Sequence, residues 1–485
     1  MAVSCKRAAG MLLRVVMLCM PAGNVLAQRS EYTLARLIDS ASRHLPILLQ
    51  KRAQVAGAEA GIVDARHAFL PKVNFVEALS VGSANDLTGP FMPVPGVLHA
   101  IAGGITGGNS YQAAASNIAS VYAEYELVNF GLRGAKVSNA RAAVGVQRAD
   151  LEKEMYMMKW QVARLWFEIR KAQFQLAVDG EDVRRNESMY AVTQALTSTG
   201  INAGVDSSLA KAGLSRTRVS YNQTEGRLRG LVQQMKFWTG VVLDDLQGWE
   251  NRARAYRSGG IGEIDGGMGL LNEGKTDRME EPADTLPAKG NPLLAYYDKQ
   301  RLQYQSETEL IRKSYLPKVL LGAGGWARGS SIQYNNDYKG LGEGLGYQRL
   351  NYLAGLGFTY DLFNGLRKRD KMAVASHQAE AAGYALEQQE LVLRNVASQA
   401  EESMRTARNN LAELPVQIQA AKDAYSQKLA QYKSGIINLV DLTNASFVLY
   451  QAQSAYIETV NGLHMAGLDK AAATGSLDPF IQSIK

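Results

Sequence analysis

The sequence repeats itself at a fixed distance of 235 positions. Gly200 corresponds to Gly435 at this distance, and Asp206 corresponds to Asp441. A constant offset maintained over this length indicates an internal duplication, which limits the fold to two copies of one structural unit. The second copy of the most recognisable motif runs from Tyr432 to Asn444, between two segments with helical periodicity.

The N-terminal 27 residues have the pattern of a secretory signal peptide. A basic start is followed by a short apolar run and by small residues at the expected cleavage point. Both cysteines, Cys5 and Cys19, lie inside this segment, so the mature chain is expected to contain no disulfide and no thiolate metal site. The bulky Leu18 before Cys19 argues against a lipoprotein cleavage site. No other stretch is long and apolar enough for a membrane helix, so a membrane-spanning region would have to be built from strands.

A Leu-Pro-Lys-Val motif occurs once in each copy and contains Pro71 and Pro317. Helical patterns precede it, from Tyr32 to about His67 and from about Asn291 to Lys313. Proline stops a helix and is tolerated at the beginning of a strand. Each motif therefore predicts a switch from helix to strand.

Alternating sequences follow both prolines and predict one β-hairpin in each copy, with strands at about 72–128 and 318–363. The clearest strand pattern runs from Tyr347 to Phe363, where one face is apolar and the other is small or polar. Each hairpin ends in a related tyrosine–asparagine–glycine segment, which is a turn signal before a long helical pattern.

Two long heptad patterns come next. One contains Met158, Val162, Leu165, Ile169, Ala172 and Leu176, and the other contains Leu393, Ala397, Ala400, Met404, Ala407 and Leu411. Steps of three and four residues predict coiled-coil packing. Gly180 and Pro415 stand at matching places and predict a kink or a short interruption. A helix from Gly134 to Thr197 would be roughly 95 Å long at 1.5 Å per residue, so it requires an elongated assembly.

Several functions are disfavoured by what the sequence contains. The positive charge of +7 is spread along the chain, which indicates a solvated surface and not a nucleic-acid partner. The five histidines lack metal-ligand spacing, and no nucleophile–base constellation is visible. We therefore expect no enzyme activity, no metal and no cofactor.

Taken together, the signal peptide, the duplicated order of helix, hairpin, long helix and helix, and the motifs at Pro71, Pro317, Gly200 and Gly435 resemble the TolC-type outer-membrane factor family. The resemblance implies a mainly α chain with a β-hairpin per repeat. It also implies an elongated homotrimer with a periplasmic α-helical barrel and a shared twelve-stranded transmembrane β-barrel.

The corresponding domains are a signal peptide (1–27), a first repeat (28–242), an equatorial insert (243–290), a second repeat (291–475) and a C-terminal tail (476–485). The resemblance further implies that Tyr125, Phe130, Tyr360 and Phe363 lie near the periplasmic interface. They are either aromatic anchors or residues packed at the strand–helix junction.

The helix-to-helix turn has two interpretations. Gly200 and Gly435 fit left-handed helix C-caps, and Asp206 and Asp441 fit N-caps or first-turn acids. Alternatively, Asp441 and Asn444, three residues apart on one helix face, form stacked rings at the periplasmic mouth of a trimer. By resemblance, Tyr432 matches a tyrosine of the family's gate. Ile437 occupies the place of the gate's arginine, so the family's salt-bridged lock is not expected here.

The sequence therefore predicts the outer-membrane exit duct of a tripartite efflux pump or a type I secretion system, gated at its periplasmic tip. By resemblance, its partners are a periplasmic adaptor protein, an inner-membrane transporter of the ABC or RND type, and outer-membrane lipid. The alternative is a periplasmic coiled-coil structural protein that forms no channel. The alternating strand at Tyr347–Phe363 argues against that alternative.

Overall fold

The structure is a computed structural model, and it describes residues 33–85, 107–198, 204–241 and 290–484. The predicted signal peptide, Gly200, residues 243–289 of the predicted insert and most of the first hairpin loop lie outside the described residues.

The described elements occur twice in the same order: a helical segment, two strands, a very long helix and a shorter helix. The first helical segment consists of two helices in the first copy and of one helix in the second. In the first copy they are α1 (Leu34–His44), α2 (Pro46–His67), β1 (Lys72–Gly82), β2 (Ala114–Val128), α3 (Leu132–Ser198) and α4 (Gly204–Thr239). In the second copy they are α5 (Pro292–Ser314), β3 (Lys318–Ser330), β4 (Arg349–Thr359), α6 (Asn364–Lys433) and α7 (Leu439–Thr474), followed by α8 (Leu477–Ser483). Among these helices, none combines the length and the apolar composition needed to cross a membrane.

The first helical segment is divided, which corrects the prediction of one helical stretch from Tyr32 to His67. α1 ends at His44 and α2 begins at Pro46, with Leu45 extended between them (φ −66°, ψ 118°). The ring of a proline disfavours the helical conformation of the residue before it, while proline itself suits the first turn of a helix. Leu45 therefore ends one helix and Pro46 starts the next.

Helix gives way to strand around both Leu-Pro-Lys-Val motifs. β1 begins at Lys72 and β3 at Lys318, each on the residue that follows the proline. The four strands form a single antiparallel sheet in the order β1-β2-β3-β4. The two predicted hairpins are thus joined side by side through the pairing of β2 with β3.

The register separates the side chains of the sheet into two faces. Directly paired residues of antiparallel strands project to the same side. One face, which we call the apolar face, contains the exposed residues Val73, Phe75, Leu79, Val121, Leu350, Tyr352, Leu356 and Phe358. The other face carries more polar side chains and we call it the polar face: it contains Asn74, Ser80, Ser120, Glu124, Lys318, Arg349 and Asn351, interspersed with the apolar or aromatic residues Val76, Ile118, Tyr122, Leu320, Trp326 and Leu353. The predicted alternation at Tyr347–Phe363 is confirmed, although β4 itself covers only Arg349–Thr359.

Two polar residues of the apolar face form hydrogen bonds to the connection between β3 and β4. The Tyr347 hydroxyl donates to Glu77 Oε1 at 2.8 Å, and Asn117 Nδ2 donates to the Leu345 carbonyl at 2.8 Å. The connection lies close to the sheet, because a Cβ at Gly344 would stand 2.3 Å from the Ala115 carbonyl oxygen.

Both heptad patterns are confirmed as packing surfaces. All six of the residues predicted in α3 are buried, and in α6 five are buried and Leu411 is half-buried. α3 and α6 are 67 and 70 residues long and continue through Gly180 and Pro415. A short interruption, one of the two predicted alternatives, therefore does not occur, and a kink at these positions stays a prediction. At 1.5 Å per residue, each helix is about 100 Å long.

The largest apolar core lies where α3 meets α1, α4, α7 and α8. Its most deeply buried members are Leu37, Val162, Ile169, Met235, Leu468 and Leu477. Because residues from both copies contribute, the two repeats are packed into one structure and are not independent units.

Candidate functional site

The turn between α6 and α7 is built around a left-handed glycine. Gly435 has a φ of +70°, a conformation that glycine adopts without a steric penalty. The Ile436 N–H donates to the Gln431 carbonyl at 3.0 Å, and the Gly435 N–H donates to the Tyr432 carbonyl at 3.0 Å. This pair of bonds is the Schellman pattern, which satisfies carbonyls at the end of a helix. The chain is thereby directed sharply out of α6.

Asn438 begins the returning helix. Its side-chain oxygen accepts the Asp441 backbone N–H at 2.9 Å, which makes Asn438 the N-cap of α7. Asp441 lies in the first turn, where a negative charge interacts favourably with the helix dipole. Asp441 and Asn444 are three residues apart, and both side chains are exposed. Within the described part of the chain, the Asp441 carboxylate forms no ion pair, so its charge is presented to solvent.

Tyr432 lies on the inside of this turn and not beside the exposed pair. It is 1% exposed and packs with Met189, Leu439 and Leu442. Its hydroxyl lies 2.8 Å from Thr193 Oγ1. Because Thr193 donates its own proton to the Met189 carbonyl at 2.8 Å, the Tyr432 hydroxyl is the donor to Thr193. Tyr432 therefore joins the end of α6 to α3.

Ile437, which stands where the resemblance places an arginine, is half-buried and packs against the same apolar cluster. The described contacts of this position are thus apolar. In the first copy of the turn, Asp206 is half-buried in the first turn of α4. Its companion Gly200 lies outside the described residues.

A buried polar site farther along α3 was missed in the sequence. Asp179 is 2% exposed and accepts three hydrogen bonds. Gln175 Nε2 donates at 2.9 Å, the Tyr450 hydroxyl at 3.0 Å and the Thr224 hydroxyl at 2.5 Å. Since Thr224 belongs to α4 and Tyr450 to α7, one carboxylate connects three helices.

A polar cleft of about 260 Å³ adjoins this site between α4 and α7. Asp182, Asn186, Arg216 and Ser446 are among the residues that line it. Burial raises the pKa of the Asp182 carboxyl, and the neighbouring Arg185 guanidinium, 3.1 Å away, opposes that rise. A cleft of this size with polar walls can accommodate water molecules between the two helices.

The heptad spacing contains a signal for this polar site. Continuing the predicted pattern of α3 from Leu176 by three residues leads to Asp179, and two further steps of seven lead to Asn186 and Thr193. All three are buried. A carboxylate at a heptad core position indicates an interior polar contact, because isolated charges are rarely buried there.

Comparison with known proteins identifies the family. The sequence profile of the outer membrane efflux protein family matches residues 37–241 and 288–469. The chain therefore belongs to the outer membrane efflux protein family. Its members are non-enzymatic outer-membrane channels, and the protein is located in the outer membrane and extends into the periplasm. A search of curated protein sequences finds no match.

Solved structures share the fold at low sequence identity. The CmeC outer membrane channel of Campylobacter jejuni is 15% identical, with a TM-score of 0.68 over 92% of this chain and 86% of that one. The MtrE outer membrane channel of Neisseria gonorrhoeae, in its open state, is 16% identical, with a TM-score of 0.65 over 92% and 89%. The outer-membrane channel OprN is 16% identical, with a TM-score of 0.67 over 93% and 91%. These proteins have the mainly helical architecture with a small sheet that the sequence predicts.

Among the described residues, no group of three or more histidine, aspartate, glutamate or cysteine side chains is placed to hold a metal ion. The chemistry of the described sites is that of hydrogen bonds and ion pairs between helices.

Proposed function

We propose that the protein is a passive exit duct, assembled from three chains and gated at the periplasmic tip formed by the α6–α7 turn. The sheet is the observation that carries this proposal. Within the described residues, β1 and β4 each pair on one side only, and one face of the sheet is apolar and exposed. In lipid, unpaired strand edges are costly, so the sheet requires neighbours that close it.

Three chains satisfy that requirement. Four strands from each chain give a closed barrel of twelve strands, wide enough to keep an aqueous lumen. In this arrangement the apolar face contacts lipid and the polar face lines the lumen. The long helices α3 and α6, each about 100 Å long, extend the duct into the periplasm.

The gate that we propose consists of Asp441 and Asn444. Their exposure on one face of α7 supports a ring of three carboxylates next to a ring of three amides in the trimer. Three like charges at a narrow opening attract cations and repel anions. Tyr432 and Asp206 support this gate from within the helices. Tyr432 joins α6 to α3, and Asp206 stands in the first turn of α4.

The family description favours efflux over type I secretion as the process that the duct serves. A passive duct supplies no energy, so we propose that it works with a periplasmic adaptor and an energised inner-membrane transporter of the ABC or RND type. We also propose that the domain boundaries predicted from the sequence, including the equatorial insert at 243–290, describe the parts of this duct.

Planar-bilayer recording of the purified full-length protein tests the proposal. We expect discrete, cation-selective conductance steps for the wild type and reduced cation selectivity for Asp441→Ala. Tyr432→Phe is expected to increase the time spent open, because it removes the hydroxyl bond between α6 and α3. Asp39→Ala serves as the control, because Asp39 is an exposed aspartate of α1 on the first helical segment.

The mass of the detergent-solubilised protein provides the second measurement, and we expect a trimer. Absence of conductance in the wild type and in both gate variants, together with a monomeric mass, would refute the duct. That pair of results would favour the structural coiled-coil protein.

A further inference from the structure

The four places where a helix meets a strand lie side by side along one end of the sheet. They are the connections α2–β1, β2–α3, α5–β3 and β4–α6, and the strand order makes them neighbours. Side chains link them directly. Lys136 Nζ lies 5.7 Å from the centroid of the Phe69 ring, and Asn364 Nδ2 donates to the Tyr315 carbonyl at 3.4 Å.

Basic residues are concentrated at these connections. The last eight residues of α2 and α5 and the first eight of α3 and α6 contain nine lysines or arginines and four acidic residues. We call the nine the junction belt: Arg66, Arg133, Lys136, Arg312, Lys313, Arg367, Lys368, Arg369 and Lys371. They come from four segments that are far apart in the sequence, so the charge is gathered only by folding.

Helix stability explains one part of the belt and not the other. Arg66, Arg312 and Lys313 stand in the last turns of α2 and α5, where cations interact favourably with the helix dipole. Arg133 and Lys136 begin α3, and Arg367 begins the run of basic residues in α6, where cations are unfavourable. Neither helix has an acidic residue in its first turn, although Asp361, just before α6, pairs with Arg367.

Six of the nine belt side chains are exposed, Lys136, Lys313 and Lys368 are half-buried, and the belt borders an apolar surface. The Arg369 side chain is 82% exposed beside Asp370, and that of Arg367 is 63% exposed and pairs with Asp361. Arg312 and Lys313 share Glu309, so the basic residues outnumber their acidic partners.

Between Arg367 and the end of β4 stand Leu362 and Phe363, which are 85% and 67% exposed. Moving away from the sheet, the surface thus changes from apolar to aromatic to basic. This order is typical of a protein surface that crosses from a hydrocarbon layer into the head-group region.

We propose that the junction belt binds the anionic head groups of phospholipids at the periplasmic surface of the outer membrane. The proposal rests on the proposed function, which places the apolar face of the sheet in lipid. Lipid phosphates suit the belt chemically. Guanidinium groups bind phosphate oxygens in pairs, and helix N-termini such as those of α3 and α6 favour an anion.

Lipid binding to the delipidated full-length protein in detergent tests the proposal. Short-chain phosphatidylglycerol and short-chain phosphatidylcholine are titrated separately, and bound lipids are counted by native mass spectrometry. We expect the phosphatidylglycerol to bind at least about tenfold more tightly, since each basic side chain near a membrane surface contributes to the attraction. Raising the salt to about 1 M should largely remove this preference, because the Debye length falls to about 3 Å.

The variant Arg367→Gln/Lys368→Gln/Arg369→Gln should weaken phosphatidylglycerol binding about tenfold or more and leave phosphatidylcholine binding unchanged. The control Arg394→Gln/Arg405→Gln/Arg408→Gln removes three exposed charges from the same helix, about 40–60 Å farther along, and should leave both unchanged. If the first variant does not fold, Arg133→Gln/Lys136→Gln tests the neighbouring connection.

Equal affinity for the two lipids, or equal weakening by the test and control variants, would overturn the proposal. Tighter binding of soluble polyglutamate than of phosphatidylglycerol would also overturn it and would indicate an acidic protein partner. Lipid binding is measured independently of conductance, so a negative binding result would not argue against the proposed duct. Likewise, absence of conductance in a bilayer of phosphatidylcholine alone would not argue against lipid binding by the junction belt.

Discussion

The two long helices are copies of each other, yet the halves nearest the tip are held by different interactions. One heptad position of α3 contains Met158, Leu165, Ala172, Asp179, Asn186 and Thr193, all buried. The corresponding position of α6 contains Leu393, Ala400, Ala407, Leu414 and Ala421, also buried. α3 thus changes from apolar to polar at Asp179, whereas α6 stays apolar through Ala421.

The neighbours of the two helices account for this difference. Towards the tip α3 contacts α4 and α7 along its length, while α6 packs mainly on α7 and reaches α3 at its last turn through Tyr432. Asp179 bonds to residues of both α4 and α7, so its hydrogen bonds fix the relative positions of three helices. Apolar contacts tolerate small shifts along a helix, and directional polar contacts do not. The comparison indicates that α3 sets the register of the tip.

Among the predicted changes in stability, the largest is expected when the buried residue at the matching heptad position is exchanged between α3 and α6. Asp179→Leu gives α3 the residue that α6 has at the matching position, Leu414. It removes the acceptor of three half-buried donors on three helices, so we expect a loss of about 2–4 kcal/mol in the free energy of unfolding. Denaturant unfolding of the purified protein, followed by circular dichroism, measures the loss.

The reciprocal change Leu414→Asp should also destabilise the protein, because it places a carboxylate in an apolar contact. Asp179→Asn keeps an oxygen acceptor and should cost less than Asp179→Leu. If Asp179→Leu is as stable as the wild type, the polar position of α3 does not hold the tip.

A smaller effect is expected at the hydrogen bond between Tyr432 and Thr193, which joins α6 to α3. Tyr432→Phe removes the hydroxyl that donates to Thr193 and keeps the buried ring. We expect a loss of about 0.5–1.5 kcal/mol in the free energy of unfolding. A double-mutant cycle with Thr193→Val isolates the interaction. A coupling energy near zero would show that packing alone joins α6 to α3 here.

The smallest expected effect is a pH dependence of stability that arises in α7 and not in its counterpart α4. His464 of α7 is half-buried and stands where α4 has the exposed Arg229. Burial lowers the pKa of His464 below its ordinary value of 6.5, and Arg170 adds to this effect. The unfolded chain therefore takes up the proton first. The stability contributed by neutral His464 is complete above pH 6.5 and is lost as pH falls through the folded-state pKa.

We expect wild-type stability to fall relative to His464→Gln as pH is lowered from 7 to 5, by at most about 1.4 kcal/mol per pH unit. Chemical unfolding of both proteins at several pH values measures this slope. Parallel curves would contradict the prediction. His377 provides the control, because its exposed imidazole lies near a single carboxylate on its own helix.

Much of the fold could be predicted because it depends on local patterns. Periodicities of 2 and 3.5 residues, with the prolines at 71 and 317, located the strands and the long helices. The break at Leu45 was missed because helical periodicity continues on both sides of Pro46. Gly180 and Pro415 were expected to mark a kink or a short interruption, and the helices are not interrupted there. Packing along a coiled coil can outweigh the local preferences of single residues.

The site was only partly predictable. The spacing of Gly435, Asp441 and Asn444 placed them at a helix turn, and the structure puts the last two on one exposed face. Tyr432 was grouped with them because it is close in sequence. The structure instead buries it against Thr193, 239 positions away, a contact for which the sequence contains no local signal.

The sequence by itself determined the duplication, the order of the elements, the two faces of β4 and the packing face of the two long helices. These follow from residue spacing, which acts through backbone geometry over a few residues. Only the tertiary structure decided how the copies join. The pairing of β2 with β3, the three partners of Asp179 and the gathering of nine basic residues at one end of the sheet all depend on segments far apart in the chain. Such contacts form only when the apolar faces are buried together, and no local pattern specifies which distant partners meet.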